Sequence, residues 1–420
     1  MSTFTLITAL VCISAIFSYV NLRFLKIPGT IGIMAVAIIV SLIILITGKS
    51  FAGISEFMIA VSRDIDFSKA VLDVMLGFLL FAGSLHFDVR KLRENRRPVI
   101  TLATVGVILS TAVFGGLFYE VTKLVHQPIP LIYCFILGAL ISPTDPIAVA
   151  SILKRSKIPN RLQTIISGES LFNDGVGIVL FVTLSEIAEN TDKKVTLGET
   201  ALLFLQEVGG GIALGLVAAV VAVKMIRKIS DFQTMMLITL SLVMGLSVVA
   251  AKFHLSAPLS VVAAGLYVGN MSLSLPGSEH RDDVLQKIWS LLDDVLNTIL
   301  FVLIGLQLVT MPYLENYWQI GIVAFFLVII SRAVSISLPV IFVRRKLRIR
   351  YDSIVILTWA GLRGGISVAL ALSLPESPYR EVLLAASYFI VILSILGQGL
   401  TLNKVANAVS ARDAESAVNA

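Results

Sequence analysis

Two acidic residues lie inside stretches apolar enough to cross a membrane, and each has oxygen-bearing neighbours. Asp145 sits in Leu140-Ile141-Ser142-Pro143-Thr144-Asp145-Pro146-Ile147, and Asp174 in Gly168-Glu169-Ser170-Leu171-Phe172-Asn173-Asp174-Gly175. A carboxylate near a bilayer centre costs about 2.5–3.5 kcal/mol on the insertion scale. Such a group is expected to have a task, and binding cations or protons is the simplest. Carboxylate, hydroxyl and carbonyl oxygens together suit a hard monovalent cation such as Na⁺ or Li⁺. Burial disfavours the charged form of a carboxylate, so proton and cation would compete for one group. Competition at one site suffices for exchange, provided the empty site does not change sides.

Helical spacing groups these residues further. Steps of three and four put Ser170, Asn173, Asp174 and Gly177 on one face, so Ser170 and Asp174 can both approach one ion. Glu169 points elsewhere and needs a partner, for which Arg332, alone in Ile329-Ile330-Ser331-Arg332-Ala333-Val334, is the candidate. A buried pair of this kind is more often structural than chemical. Around Asp145, Pro143 and Pro146 each remove a backbone donor and free carbonyls near Ala139 and Ser142. An unwound stretch at membrane depth survives where it is buried or lines a wet cavity. A second break is expected at Gly361-Leu362-Arg363-Gly364-Gly365, where glycines loosen the helix and Arg363 adds a buried cation. Paired interruptions in two halves of a chain point to a transporter site.

The elements that must position these groups follow from composition. With 57% hydrophobic and 14% charged residues over 420, the chain reads as an all-α polytopic membrane protein. A barrel is excluded, because the apolar runs are about 20 residues long rather than alternating. About thirteen spans are expected, near 4–21, 29–47, 68–86, 98–120, 129–152, 162–186, 200–224, 232–252, 256–273, 290–311, 317–343, 352–374 and 381–402. Spans one to six (1–190) and eight to thirteen (232–403) would form two six-helix repeats, inverted because one connecting span (200–226) separates them. A short polar cytoplasmic tail, 404–420, completes the layout, and 51–66 is either a short interfacial helix or a loop.

The net charge of +6 does not indicate a nucleic-acid partner, because Lys and Arg cluster in alternate loops. This positive-inside bias places the N-terminus outside and the C-terminus in the cytoplasm, consistent with an odd number of spans. The first span lacks a basic start and a cleavage site and is expected to be a retained helix. Cys12 and Cys134 read as packing thiols, and the four His residues show no zinc spacing.

On these motifs the chain resembles the NhaP/NHE-type monovalent cation:proton antiporters. Ser142–Pro146 and Gly168–Gly175 look like that family's paired signatures, Gly361–Gly365 and the lone Arg332 fit as well, and the likeness covers nearly the whole chain. The resemblance implies a thirteen-span, inverted-repeat homodimer whose broken spans five and twelve cross near the ion. It implies that Asp174 exchanges proton for cation, and that Asn173 organises the site. Thr144 would supply a backbone oxygen, Asp145 a nearby carboxylate and Ser170 a further ligand, with Glu169–Arg332 and Arg363 in support. An Asn-Asp pair implies electroneutral one-for-one exchange. The chain departs from the pattern at Ala82, where the family often has an acidic residue, and Asp73 is out of phase to replace it.

The reading is therefore a secondary-active Na⁺ (or Li⁺)/H⁺ antiporter of a prokaryotic inner membrane, needing no organic cofactor and not an enzyme. K⁺/H⁺ exchange on the same fold uses the same ligand types and stays open. A channel is disfavoured by the two broken helices and the absence of repeated filter loops. An intramembrane aspartyl protease would need two facing Asp residues sharing a proton, in a motif context the chain lacks. Asp73 and His254 are expected at span ends, and Asp293 and Asp294 at the wet start of span ten.

Overall fold

A computed structural model describes residues 2–27, 29–47, 67–145, 149, 158–189, 197–229, 231–272, 279–308, 314–347, 349 and 351–418. The expected interfacial segment 51–66 lies outside them. Among the described residues there is helix and no strand. Helices α1 (Thr3–Val20), α2 (Gly29–Thr47), α3 (Phe67–Leu85) and α4 (Arg96–Leu124) open the bundle. They are followed by α5 (Leu131–Leu140), α6 (Asn160–Glu189), α7 (Leu197–Ile226), α8 (Phe232–Lys252) and α9 (Ala257–Ser272). Then come α10 (Glu279–Gln307), α11 (Leu314–Leu347), the two pieces α12a (Tyr351–Trp359) and α12b (Gly365–Leu372), and α13 (Arg380–Val409). Each of the thirteen expected segments carries helix. Helix also continues from Leu400 to Val418, through the boundary expected at 403.

Nine described helices are long and apolar enough to span a membrane, and α2, α5 and α9 contain shorter apolar ones. Burying no water-exposed surface against one another, membrane helices gain from close packing of small residues. That is how α7 meets α9. A Cβ on Gly211 would lie 2.6 Å from the Ser256 carbonyl, and one on Gly215 would overlap the Ser260 carbonyl. Polar ties fix register elsewhere: Ser41 donates to the Gly305 carbonyl at 2.7 Å, joining α2 to α10. The N-cap of α8 is Asp231, whose side chain accepts from the Thr234 N–H at 2.7 Å.

Both expected breaks are present. α5 stops at Leu140, and residues 142–145 run without regular structure. α12a stops at Trp359, and 361–364 do the same before α12b begins. The two unwound stretches meet: the Asp145 N–H donates to the Leu362 carbonyl at 2.8 Å. A backbone donor freed by one break is thus satisfied by a carbonyl of the other.

Two expectations need correction. Asp293 and Asp294 do not start a helix, since α10 begins at Glu279 and carries them near its middle. Hydropathy marks where a helix enters the apolar layer, whereas the helix itself extends through the charged run Glu279–Lys287. Cys12 is exposed on α1 rather than packed, and only Cys134 is buried. An apolar thiol on a membrane helix can face lipid as readily as a core.

Candidate functional site

The crossing of the two breaks fixes the first group of side chains. Pro143 leaves the Ser142 and Pro143 carbonyls pointing into the bundle, and the Arg363 guanidinium donates to both, through Nη1, at 2.5 and 3.2 Å. Arg363 is 1% exposed, so this cation is spent on backbone oxygens that would otherwise be bare at membrane depth. Its own N–H donates to Ser394 Oγ at 3.0 Å, and Ser394 in turn donates to Gln398 Oε1 at 2.6 Å. On the other side of the break, Ser142 Oγ donates to the Gly138 carbonyl at 2.8 Å and lies 3.1 Å from Thr111 Oγ1.

α6 pins the break from below. Asn173 Nδ2 donates to Thr144 Oγ1 at 2.7 Å, and the Thr144 N–H donates to Asn173 Oδ1 at 3.3 Å. Ser170 Oγ lies 2.8 Å from Thr144 Oγ1. Two side chains of one helix face thus hold a single residue of the unwound stretch. Gly177 lets this happen, since a Cβ there would come 2.7 Å from Pro143 Cγ. Gly364 does the same from the other break, where a Cβ would lie 2.5 Å from Asp145 Oδ2 and 2.7 Å from its Cβ.

The two carboxylates converge on one cavity. Asp145, Thr144, Pro143 and Asp174 line a space of about 600 Å³ that reaches Ser18, Thr30, His86 and Phe87, where α1 and α3 end and α2 begins. Asp174 is 1% exposed, and its Oδ1 has no hydrogen-bond partner among the described residues. Asp145 lies 9% exposed. Glu169 takes the partner expected for it: Arg332 Nη1 and Nη2 donate to its two oxygens at 2.5 and 2.7 Å. Gly361 leaves room for that guanidinium, with a Cβ there falling 3.0 Å from Arg332 Nε.

The structure therefore brings Thr144, Asp145, Ser170, Asn173 and Asp174 together, with Arg363 above them. Glu169 and Arg332 form a separate pair beside them. Ala82 lines the cavity, whereas Asp73 is exposed and does not. Sequence reasoning missed Ser394 and Gln398, which hold Arg363, although Gln398 is conspicuous in the apolar run Ile395-Leu396-Gly397-Gln398-Gly399. It also missed α10, whose Asp293, Asp294 and Asn297 line the same cavity.

The family model described as sodium/hydrogen exchanger, transmembrane, matches residues 8–408. The chain belongs to the transmembrane sodium/hydrogen exchanger family. Within that family it is 41% identical to the Na⁺/H⁺ antiporter NhaP of Pseudomonas aeruginosa, over 97% of each chain. It is 29% identical to the Na⁺/H⁺ antiporter NhaH of Halobacillus aidingensis, over 91% of this chain and 92% of that one. The solved structure of the sodium proton antiporter MjNhaP1 from Methanocaldococcus jannaschii superposes with a TM-score of 0.76 at 18% identity. That match covers 97% of this chain and 99% of the other, a likeness of fold. The family is one of secondary transporters, and the chain is a multi-pass membrane protein.

Proposed function

We propose that the protein exchanges Na⁺ (or Li⁺) for H⁺ at Asp174. The observation that carries this reading is a buried carboxylate that lines a cavity and has an oxygen unpartnered among the described residues. A fixed cation there would occupy the site permanently, whereas an unpartnered oxygen can take either a proton or a mobile cation. The antiporter names of the relatives support Na⁺ as the cation and give no support to the K⁺ alternative.

Around Asp174, Ser170 and Thr144 offer hydroxyl oxygens, and Asp145 a second carboxylate across the crossing. Asn173 is neutral and committed to Thr144, so the Asn-Asp pair of α6 holds one titrating group. As the family resemblance implies for an Asn-Asp pair, the exchange is one proton against one cation, without net charge movement. Glu169, Arg332 and Arg363 hold the scaffold. In a membrane oriented by the basic loops, the N-terminus is outside, the C-terminus is cytoplasmic and the cavity opens to the cytoplasm. The protein would then be a homodimer of the plasma (inner) membrane, built from two inverted repeats.

The test is cation-induced dissipation of an imposed pH gradient in proteoliposomes, comparing Na⁺, Li⁺ and K⁺, with the membrane potential clamped by valinomycin. Na⁺ and Li⁺ are expected to collapse the gradient at a rate the clamp leaves unchanged. Response to K⁺ alone would overturn the substrate, and a clamp-dependent rate would overturn one-for-one exchange.

A further inference from the structure

One wall of the cavity has no part in the site described above. α10 lends it Ser290, Asp293, Asp294, Asn297 and Thr298, and steps of three and four place all five along one helix face. The rotation of α10 is fixed one turn earlier by Trp289. That side chain is fully buried, donates through Nε1 to Thr239 Oγ1 at 3.1 Å, and packs 4.6 Å from the Phe81 ring. Asp293 is half-buried. Asn297 is 2% exposed, and its Nδ2 donates both to Asp293 Oδ1 and to the Asp293 carbonyl, each at 2.9 Å. A buried amide thus holds this carboxylate in one orientation against the wall.

α3 contributes Ala82 and Gly83, which carry no charge, and His86 follows at its end, 3.2 Å through Nε2 from the Gln286 carbonyl of α10. Asp174, whose buried Oδ1 is unpartnered among the described residues, lines the same cavity. A cation drawn to that oxygen enters the cavity that α10 also lines, and a fixed carboxylate there raises its local concentration.

We infer that Asp293, positioned by Asn297, is a specificity-determining residue on the ion's route, setting the apparent cation affinity from the cavity side. It does not titrate in the exchange step. Its carboxylate replaces part of the hydration shell of an entering monovalent cation, which then moves on to Asp174. Asp294, exposed beside it on α10, adds to the attraction without being held. The inference rests on the exchange reading.

The experiment measures Na⁺-dependent proton release in proteoliposomes for the wild type, Asp293→Asn, Asp293→Glu and Asn297→Ala, across Na⁺ concentration and pH. Asp293→Asn is expected to raise the apparent KM for Na⁺ by about two- to fivefold, the range for one charge in a wet cavity. The maximal rate and the pH profile should stay in place, and Asp293→Glu should restore the low KM. The rise should shrink as choline chloride screens the charge. Asn297→Ala should shift KM in the same direction by less. If Asp293→Asn inserts poorly, Asn297→Ala decides alone: an unchanged KM overturns the inference. An unchanged KM in Asp293→Asn also overturns it. So does a fall in maximal rate that Asp293→Glu shares, which would mark a packing role. Absence of Na⁺-driven release from the wild type would instead refute the exchange reading beneath it.

Discussion

Glu169 and Asp174 lie five residues apart on α6, and each is 1% exposed. Glu169 meets a guanidinium that matches both of its oxygens, whereas Asp174 Oδ1 meets no donor among the described residues. On the proposed function, the same helix buries one carboxylate as structure and one as a site, and a built-in cation makes the difference. A fixed Arg opposite Asp174 would keep mobile ions out at any concentration the cell reaches. Placing the Arg one turn away stabilises the helix and leaves Asp174 for its transient partners.

The comparison can be broken most directly at Asp174. Asp174→Asn is expected to reduce exchange to the level of empty liposomes, with thermal stability equal to or above the wild type, since an amide is cheaper to bury than a carboxylate. Retained exchange would show that the two carboxylates do not differ in the way proposed.

Arg332→Ala should give the opposite pattern. Leaving Glu169 buried without its partner costs about 3–5 kcal/mol, seen as a clear drop in melting temperature in detergent. The double variant Arg332→Ala/Glu169→Ala should lose less than the single one. Normal stability with lost transport would move the pair from scaffold to mechanism.

A smaller effect sharpens the same contrast. Gly364→Ala brings a methyl group against Asp145, and overpacking of this kind costs about 1–3 kcal/mol. Because the strain falls on the site, Na⁺-driven release should slow by about tenfold, with a smaller fall in melting temperature than Arg332→Ala shows. A wild-type rate would mean that the approach of the two breaks does not matter for transport.

Much of this was legible in the residues because membrane depth makes polar groups conspicuous. Asp145, Asp174, the proline and glycine breaks and the lone Arg332 stand out against apolar runs, and Glu169 needed a partner that only a few positions could supply. What Arg363 does was not legible. A sequence shows that a cation is buried, but only the crossing shows that the Ser142 and Pro143 carbonyls take it. The closeness of Gly364 to Asp145 is likewise a property of two segments meeting, not of either motif. Asp293 was misplaced because hydropathy locates the edge of the apolar layer, whereas the helix begins about three turns earlier, at Glu279.

The link between Arg363 and the first break also has a meaning in time. The capping guanidinium lies 221 residues downstream of the Ser142 carbonyl it caps. At roughly 5–20 residues per second, a ribosome needs about ten to forty seconds to make that stretch. Throughout that interval the nascent α5 sits in or beside the bilayer with its break unfinished, so water, lipid headgroups or the insertion machinery must serve those oxygens. The proposed ion site is thus a late product of biogenesis, completed only when the chain's last third closes over its first half.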